Sequence, residues 1–234
     1  MGLKIKALFI SDVHLGSKGS QAKELLSILK KYKPKELFIV GDFIDGWLLK
    51  RRNYWTQDYI NVLRKVLSYS KNGTKITYIT GNHDDFLRDY SPFEFGENIQ
   101  IVDEIIWNDY LITHGDLYDG VVKLKWLGKL GAWGYELAIG IDIFLRKFGF
   151  KFSLSSFLKQ KVKRAVSFIT AYENQLAYQA QLNGCIGVIC GHIHKPENKF
   201  VVVKNKKIHY INCGDWIEHN SYIIDDGNGL HLHK

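Results

Sequence analysis

Five short polar clusters hold most of the residues in this chain that could do chemistry. They are Asp12-x-His14, Gly41-Asp42-x-x-Asp45, Gly81-Asn82-His83-Asp84, His114-Gly115 and Gly191-His192-x-His194, and they take five of the nine histidines. Carboxylate, amide oxygen and imidazole together suit Mn²⁺, Fe or Zn²⁺, and the set has no thiolate of the kind a structural zinc uses. In Asp-x-His and His-x-His, alternate side chains of an extended segment point the same way, so both members could reach one site. A carboxylate between two such groups can bridge two cations. Glycines beside Asp42, Asn82, His114 and His192 would let backbone approach closely. Any one cluster alone is an ordinary surface or capping pattern, and a lone His114 an ordinary core residue. Five in one chain call for a common explanation.

Each cluster follows a segment that reads as a strand. Residues 4–11 form a buried strand ending at Asp12, Glu36–Asp42 a second and Lys75–Thr80 a third. Between them lie helical patterns: Ala22, Leu25, Leu26, Leu29 and Tyr32 on one face, then a segment over about Trp55–Ser70 closed by Asn72–Gly73. Shorter strands are expected near Ile99–Val102, Ile105–Trp107 and Tyr110–His114, and again at Cys185–His192, Phe200–Val203, Ile208–Cys213 and Tyr222–Ile224. Strands alternating with helices indicate an α/β architecture, and in open α/β sheets sites form beyond the carboxyl ends of strands, where these clusters can converge. Between Leu117 and Gly184 no strand pattern appears. The expectation is one domain over 1–234, with a helical insertion at 117–184 that includes a helix over Ser156–Gln181.

With 234 residues, 46% hydrophobic and 24% charged, the chain is long enough for a real core. Cys185, Cys190 and Cys213 form no paired framework and read as buried thiols of a reducing compartment. No leader of the signal-peptide kind is seen, and Glu136 and Asp142 interrupt the longest apolar stretch, so a cytoplasmic protein is expected. A net charge of +8 points to an anionic partner: nucleic acid, phosphorylated substrate or acidic membrane.

The ordered set resembles the calcineurin-like metallophosphoesterase superfamily, whose DxH…GDxxD…GNH[DE]…H…GHxH pattern is matched without a gap. The resemblance implies two mixed β-sheets in a sandwich flanked by helices, an α+β arrangement. It implies two divalent metal ions, with Asp12, His14 and His194 on one, Asn82, His114 and His192 on the other, and Asp42 bridging. His83 matches the family's catalytic histidine. Such a pair of cations holds phosphate oxygens and activates water, and a protonated His83 can stabilise charge or donate to the leaving oxygen. Asp84 reads either as a partner orienting His83 or as a solvated loop carboxylate. Asp45 reads as a cap or an orienting group, not a ligand.

The insertion carries many basic residues, from Lys123 to Arg164, and aromatics from Trp126 to Tyr172. They read as a packed helical hairpin with solvated lysines, or as a surface for a greasy anionic substrate or a membrane. SDVHLGS, VGDFIDGW, GNHDDFLRDY and HGDLYD, with the helical insert, resemble the UDP-2,3-diacylglucosamine hydrolase branch. That branch implies cleavage of a lipid-linked nucleotide diphosphate in lipid A synthesis, a cap over the acyl chains, manganese, and peripheral association with the inner membrane. It also implies Asn82, Arg88 and Asp119 as substrate contacts. Here GNHD stands where the branch carries GNRD, the acidic run of HGDLYDG is shorter, and the insertion is longer and more basic. The alternatives are a paralogous phosphodiesterase or nuclease, or a non-catalytic scaffold. No protein partner is expected.

Overall fold

The computed structural model describes residues 2–51, 54–119 and 154–234, with side chains described through Asp119 and from Val166 onward. The aromatic and basic run from Lys123 to Phe152 lies outside the described residues. Two compact units are present: Met1–Leu117 with Leu176–Lys234, and Tyr118–Gln175.

Both sheets belong to the first unit. The larger has seven strands in the order β12-β11-β1-β2-β3-β5-β4. Its centre is parallel: β1 (Leu3–Ile10), β2 (Tyr32–Val40), β3 (Lys75–Ile79) and β5 (Ile99–Val102). Antiparallel β4 (Phe93–Phe95), β11 (Tyr222–Asp225) and β12 (Leu230–His233) complete its edges. The five-stranded sheet runs β6-β7-β8-β10-β9. In it β7 (Tyr110–Thr113), β8 (Gly187–Cys190) and β10 (Lys206–Asn212) are parallel, while β6 (Glu104–Trp107) and β9 (Glu197–Val203) are antiparallel edges. Between β7 and β8 the chain inserts helical structure, described as α4 (Leu154–Leu182). Two mixed sheets flanked by helices are thus the observed fold.

Strand alternation builds the two cores. Leu8 and Ile10 of β1 and Leu37 and Ile39 of β2 turn toward α1 (Ala22–Lys31) and α3 (Gln57–Lys71), whose Leu25, Leu29, Val62 and Val66 recur at helical spacing. Ala7, Phe9, Phe38 and Val40 turn the other way, onto Ile112, Ile189 and Ile211 of the second sheet. There Phe9 and Phe38 stack at 4.8 Å, with Trp107 edge-on to both. Large-to-small changes at such positions typically cost about 3–5 kcal/mol, so the strand ends that bear the clusters are firmly held.

Three strands differ from the sequence expectation. Tyr32 and Pro34 belong to β2, not to the helix and the break after it. Pro34 is tolerated because β2 overhangs β3 at this point: pairing with β3 begins only at Glu36↔Lys75. The short strands β4 and β12 were not foreseen, because Phe93–Phe95 and Leu230–His233 alternate apolar and polar residues over only three and four positions, too few to mark a strand. The three cysteines are buried thiols that form no disulfide with one another.

Candidate metal centre

Every cluster lies just beyond the carboxyl end of a parallel strand: Asp12 after β1, Asp42 after β2, Asn82 after β3, His114 after β7 and His192 after β8. The two sheets present these ends together. The extended alternation expected for Asp-x-His and His-x-His is not what aims the side chains. Asp12, His14, Asp42, His192 and His194 all hold left-handed backbone, with φ of 53°, 50°, 52°, 71° and 53°. Non-glycine residues seldom adopt this region, and strain of this kind gathers at functional sites. Glycine is required where loops touch: a Cβ on Gly81 would collide with Asp42 Oδ1 and sit 2.5 Å from its backbone nitrogen. One on Gly191 would strike Ser11 Oγ and lie 2.5 Å from Asp12 Oδ2.

The side chains converge in a buried polar nest. Asp12 Oδ1 stands 3.2 Å from His194 Nε2 and 3.8 Å from His14 Nε2, and the two imidazole nitrogens are 3.3 Å apart. Asp42 Oδ2 lies 3.3 Å from His114 Nε2 and 3.9 Å from His14 Nε2. These are separations that two ligands of one cation show when each bond is about 2.0–2.2 Å. Asp12, His14 and His194 form one group able to hold a metal, and Asp12, Asp42 and His114 another. The remaining atoms are aimed by neighbours. Asp12 Oδ2 accepts from Ser11 Oγ and the His192 amide, and Asp42 Oδ1 accepts from the His83 amide at 2.8 Å. His114 Nδ1–H donates to the Val40 carbonyl at 2.8 Å, which leaves Nε2 as the nitrogen with a lone pair. Asn82 Oδ1 is buried and accepts no hydrogen bond. A buried oxygen without a donor is costly unless something cationic meets it, so the donor set fits two divalent ions. His192 packs its ring 5.3 Å from that of His114.

The electrostatics agree. Burial works to raise the Asp42 carboxyl, but His114 outweighs it and holds the group at about 2; Asp12 is likewise held below the usual carboxylate range. Burial works to lower His114, yet Asp42 and Asp12 push it up to about 10, and His194 is raised chiefly by Asp12. Without cations the raised His114 and His194 favour protons that a metal would displace.

His83 lies at the rim, its ring 4.6 Å from His14 and 4.2 Å from Trp47. The carboxylate beside it is Asp45, whose Oδ1 is 3.2 Å from His83 Nδ1 while Oδ2 is 3.4 Å from His14 Nδ1. Burial opposes the charged form of His83, but Asp45 and then Asp42 prevail and raise its pKa. Asp45 also caps α2 (Gly46–Leu49), accepting from the Leu48 amide at 2.9 Å. Asp84 does neither job expected of it. It is fully buried, and it accepts from the Phe43 and Gly81 amides and the Tyr78 hydroxyl, tying two loops together. Burial and the charge on Asp42 raise its carboxyl to about 6.

Arg88, expected at the substrate, spends its guanidinium within the protein. It is bidentate to Asp116 at 2.8 and 2.9 Å and bonds Thr80 through Nε and Nη2. Asp119 is buried and belongs to the unit Tyr118–Gln175. Residues the sequence reading missed include Trp47 and Asp215. Asp215 Oδ2 lies 3.9 Å from His194 Nδ1 and 2.6 Å from His219 Nδ1. Its Gly214-Asp215 pair follows β10 as Gly41-Asp42 follows β2, and that strand-end signal could have found it.

Residues 5–196 match the family model of the calcineurin-like phosphoesterases. The chain belongs to this family. With its clustered His and Asp ligands, this phosphoesterase is a metal-dependent hydrolase. It is 25% identical to the UDP-2,3-diacylglucosamine hydrolase of Porphyromonas gingivalis, over 98% of this chain and 97% of that protein. The protein of the same name from Aliivibrio fischeri is 24% identical over 97% of each chain. Among solved structures, a dimetal phosphatase from Danio rerio is similar over 97% of this chain and 94% of its own, at 12% identity and a TM-score of 0.47.

Proposed function

We propose that this phosphoesterase cleaves the diphosphate of a UDP-linked, diacylated glucosamine, giving UMP and a lipid sugar phosphate. The observation that carries the reaction class is the nest of Asp12, His14, Asp42, His114 and His194 at the strand ends. The substrate rests on similarity, at 23–26% identity, to proteins named UDP-2,3-diacylglucosamine hydrolase along nearly their whole length.

In this reading Asp12, His14 and His194 hold one cation, Asn82, His114 and His192 the other, and Asp42 both. Manganese ions bound there would supply charge for the phosphate oxygens and an activated water. The chain's own work is orientation and proton handling. The Val40 carbonyl sets the His114 tautomer, Ser11 turns Asp12, and Asp45 keeps His83 protonated at the rim. From there His83 gives its proton to the leaving oxygen. The inserted segment 117–184 caps the acyl chains and, with its lysines, rests the protein on the cytoplasmic face of an anionic membrane. Asp119 contacts substrate; Arg88 positions the loop carrying Asp116.

A second reading is favoured by His83, which stands where the branch implied by the motifs carries Arg: a phosphodiesterase for another anionic substrate. Hydrolysis of UDP-diacylglucosamine, its deacylated form, an aryl phosphodiester and short DNA, with Mn²⁺ supplied, separates the two. Acylated substrate should be strongly preferred. Equal rates on acylated and deacylated UDP-sugars would sink the lipid assignment and leave the phosphoesterase standing.

A further inference from the structure

The opposite end of the large sheet holds a cleft of about 980 Å³, lined by Lys4 and Lys6 of β1, Lys33 and Lys35 of β2, Lys65 of α3 and Lys75 of β3. The metal ligands follow the carboxyl ends of these strands, whereas Lys4, Lys33 and Lys75 lie near their amino ends. Eight residues of β1 at about 3.3 Å each put the two sites roughly 25 Å apart.

The lysines are crowded and have no acidic partner among the described residues: Lys6 Nζ reaches the Gly227 carbonyl at 3.5 Å and Lys65 Nζ lies 4.3 Å over the Tyr69 ring. Lys4 and Lys33 are direct register partners on adjacent strands, so like charges stand side by side. The cleft's two acids are engaged elsewhere. Glu36 accepts from the Trp107 indole at 2.8 Å, while Asp226 accepts from the Asn228 amide and lies 3.5 Å from His231. The ion pairs Lys23–Asp58 and Lys195–Glu197 involve other lysines, not these six. Partial burial, then the charges of Lys33 and Lys30, lower the pKa of Lys65. Beside them the Asn72–Gly73 turn leaves open space over Gly73, where an added Cβ would touch nothing. A cation cluster that repels itself around a cavity, with the two acids at its wall already holding other partners, is matched to an external polyanion.

We propose that this cleft is a second anion site, separate from the metal centre, taking a ligand with two or more phosphate charges. Such charges are carried by soluble diphosphates and by phosphorylated lipid headgroups. The test is lysine acylation of the full-length, metal-loaded protein, read residue by residue by mass spectrometry. Inorganic pyrophosphate is one probe and phosphatidylcholine vesicles containing phosphatidylinositol 4-phosphate the other. Either should slow modification of Lys33, Lys65 and Lys75 by about tenfold or more while exposed Lys206 and Lys207 keep their rates. Protection by pyrophosphate alone assigns a soluble ligand, and by vesicles alone a headgroup. K33E/K65E/K75E should abolish binding of the effective probe and leave hydrolysis of a small aryl phosphodiester unchanged. Protection no greater at the cleft than at Lys206 and Lys207 with both probes would overturn the proposal. So would undiminished binding in the triple variant.

Discussion

Replacing Asp45 by Asn tests how the rim of the metal centre handles protons. The asparagine keeps an oxygen to accept from the Leu48 amide, so the cap of α2 survives. What is lost is the negative charge 3.2 Å from His83 Nδ1, the leading cause that raises the His83 pKa. A hydrogen bond to a charged group contributes about 1.5–3 kcal/mol. At 1.4 kcal/mol per tenfold, protonated His83 becomes roughly ten to a hundred times scarcer above its pKa. Because a raised histidine pKa keeps the acid form at higher pH, the variant should lose activity earlier as pH rises. The alkaline limb of kcat should move to lower pH, with activity near pH 8 reduced about tenfold or more and the acid limb unmoved. Asp45 Oδ2 also lies 3.4 Å from His14 Nδ1, so metal affinity falls as well, and the assay belongs at saturating Mn²⁺ with metal content measured. An alkaline limb that stays in place in Asp45→Asn, but vanishes in His83→Ala, would refute the account of Asp45.

In the proposed reading Asp42 would bridge both ions, so Asp42→Ala should bind about two fewer divalent ions per chain by elemental analysis; unchanged metal content would deny it that place. Since His114 is held up to about 10 and His194 is raised, metal uptake at pH 7 should release on the order of two protons, measured by calorimetry in buffers of different ionisation enthalpy. By the same linkage, the stability that protonated His114 gives the metal-free protein is complete below about pH 6.5 and lost as pH climbs toward about 10, so metal-free Tm should fall across that window. Gly81→Ala, whose Cβ would meet Asp42, should cost about 1–3 kcal/mol and most of the metal; wild-type affinity would show that the loops can part. Arg88→Ala strands the buried Asp116 carboxylate and should lower stability by about 3 kcal/mol in denaturant titration, with KM little changed; a large KM effect at normal stability would return Arg88 to the substrate.

The residue types at successive strand ends were enough to indicate a metal site, the period-two runs before them locate the strands, and phosphoester hydrolysis came from the resemblance of the ordered set to the calcineurin-like pattern. The helices α1 and α3 were equally legible, each showing one apolar stripe. What the sequence could not hold was direction. Asp12 and His14 meet His194, 180 residues away, only because left-handed backbone turns all three inward and two sheets bring their ends together. Neighbours in sequence proved poor guides to partners in space. Asp84, adjacent to His83, ties the Phe43 and Gly81 loops, while Asp45, 38 residues earlier, sits at the imidazole. Arg88 reads as a free cation until the fold sets Asp116 and Thr80 around it. Composition and periodicity are properties of the chain taken a few residues at a time, and they suffice for elements and chemistry. Which oxygen faces which nitrogen depends on how separate strands pack, and that is decided only when the two sheets close on Phe9, Phe38 and Ile211.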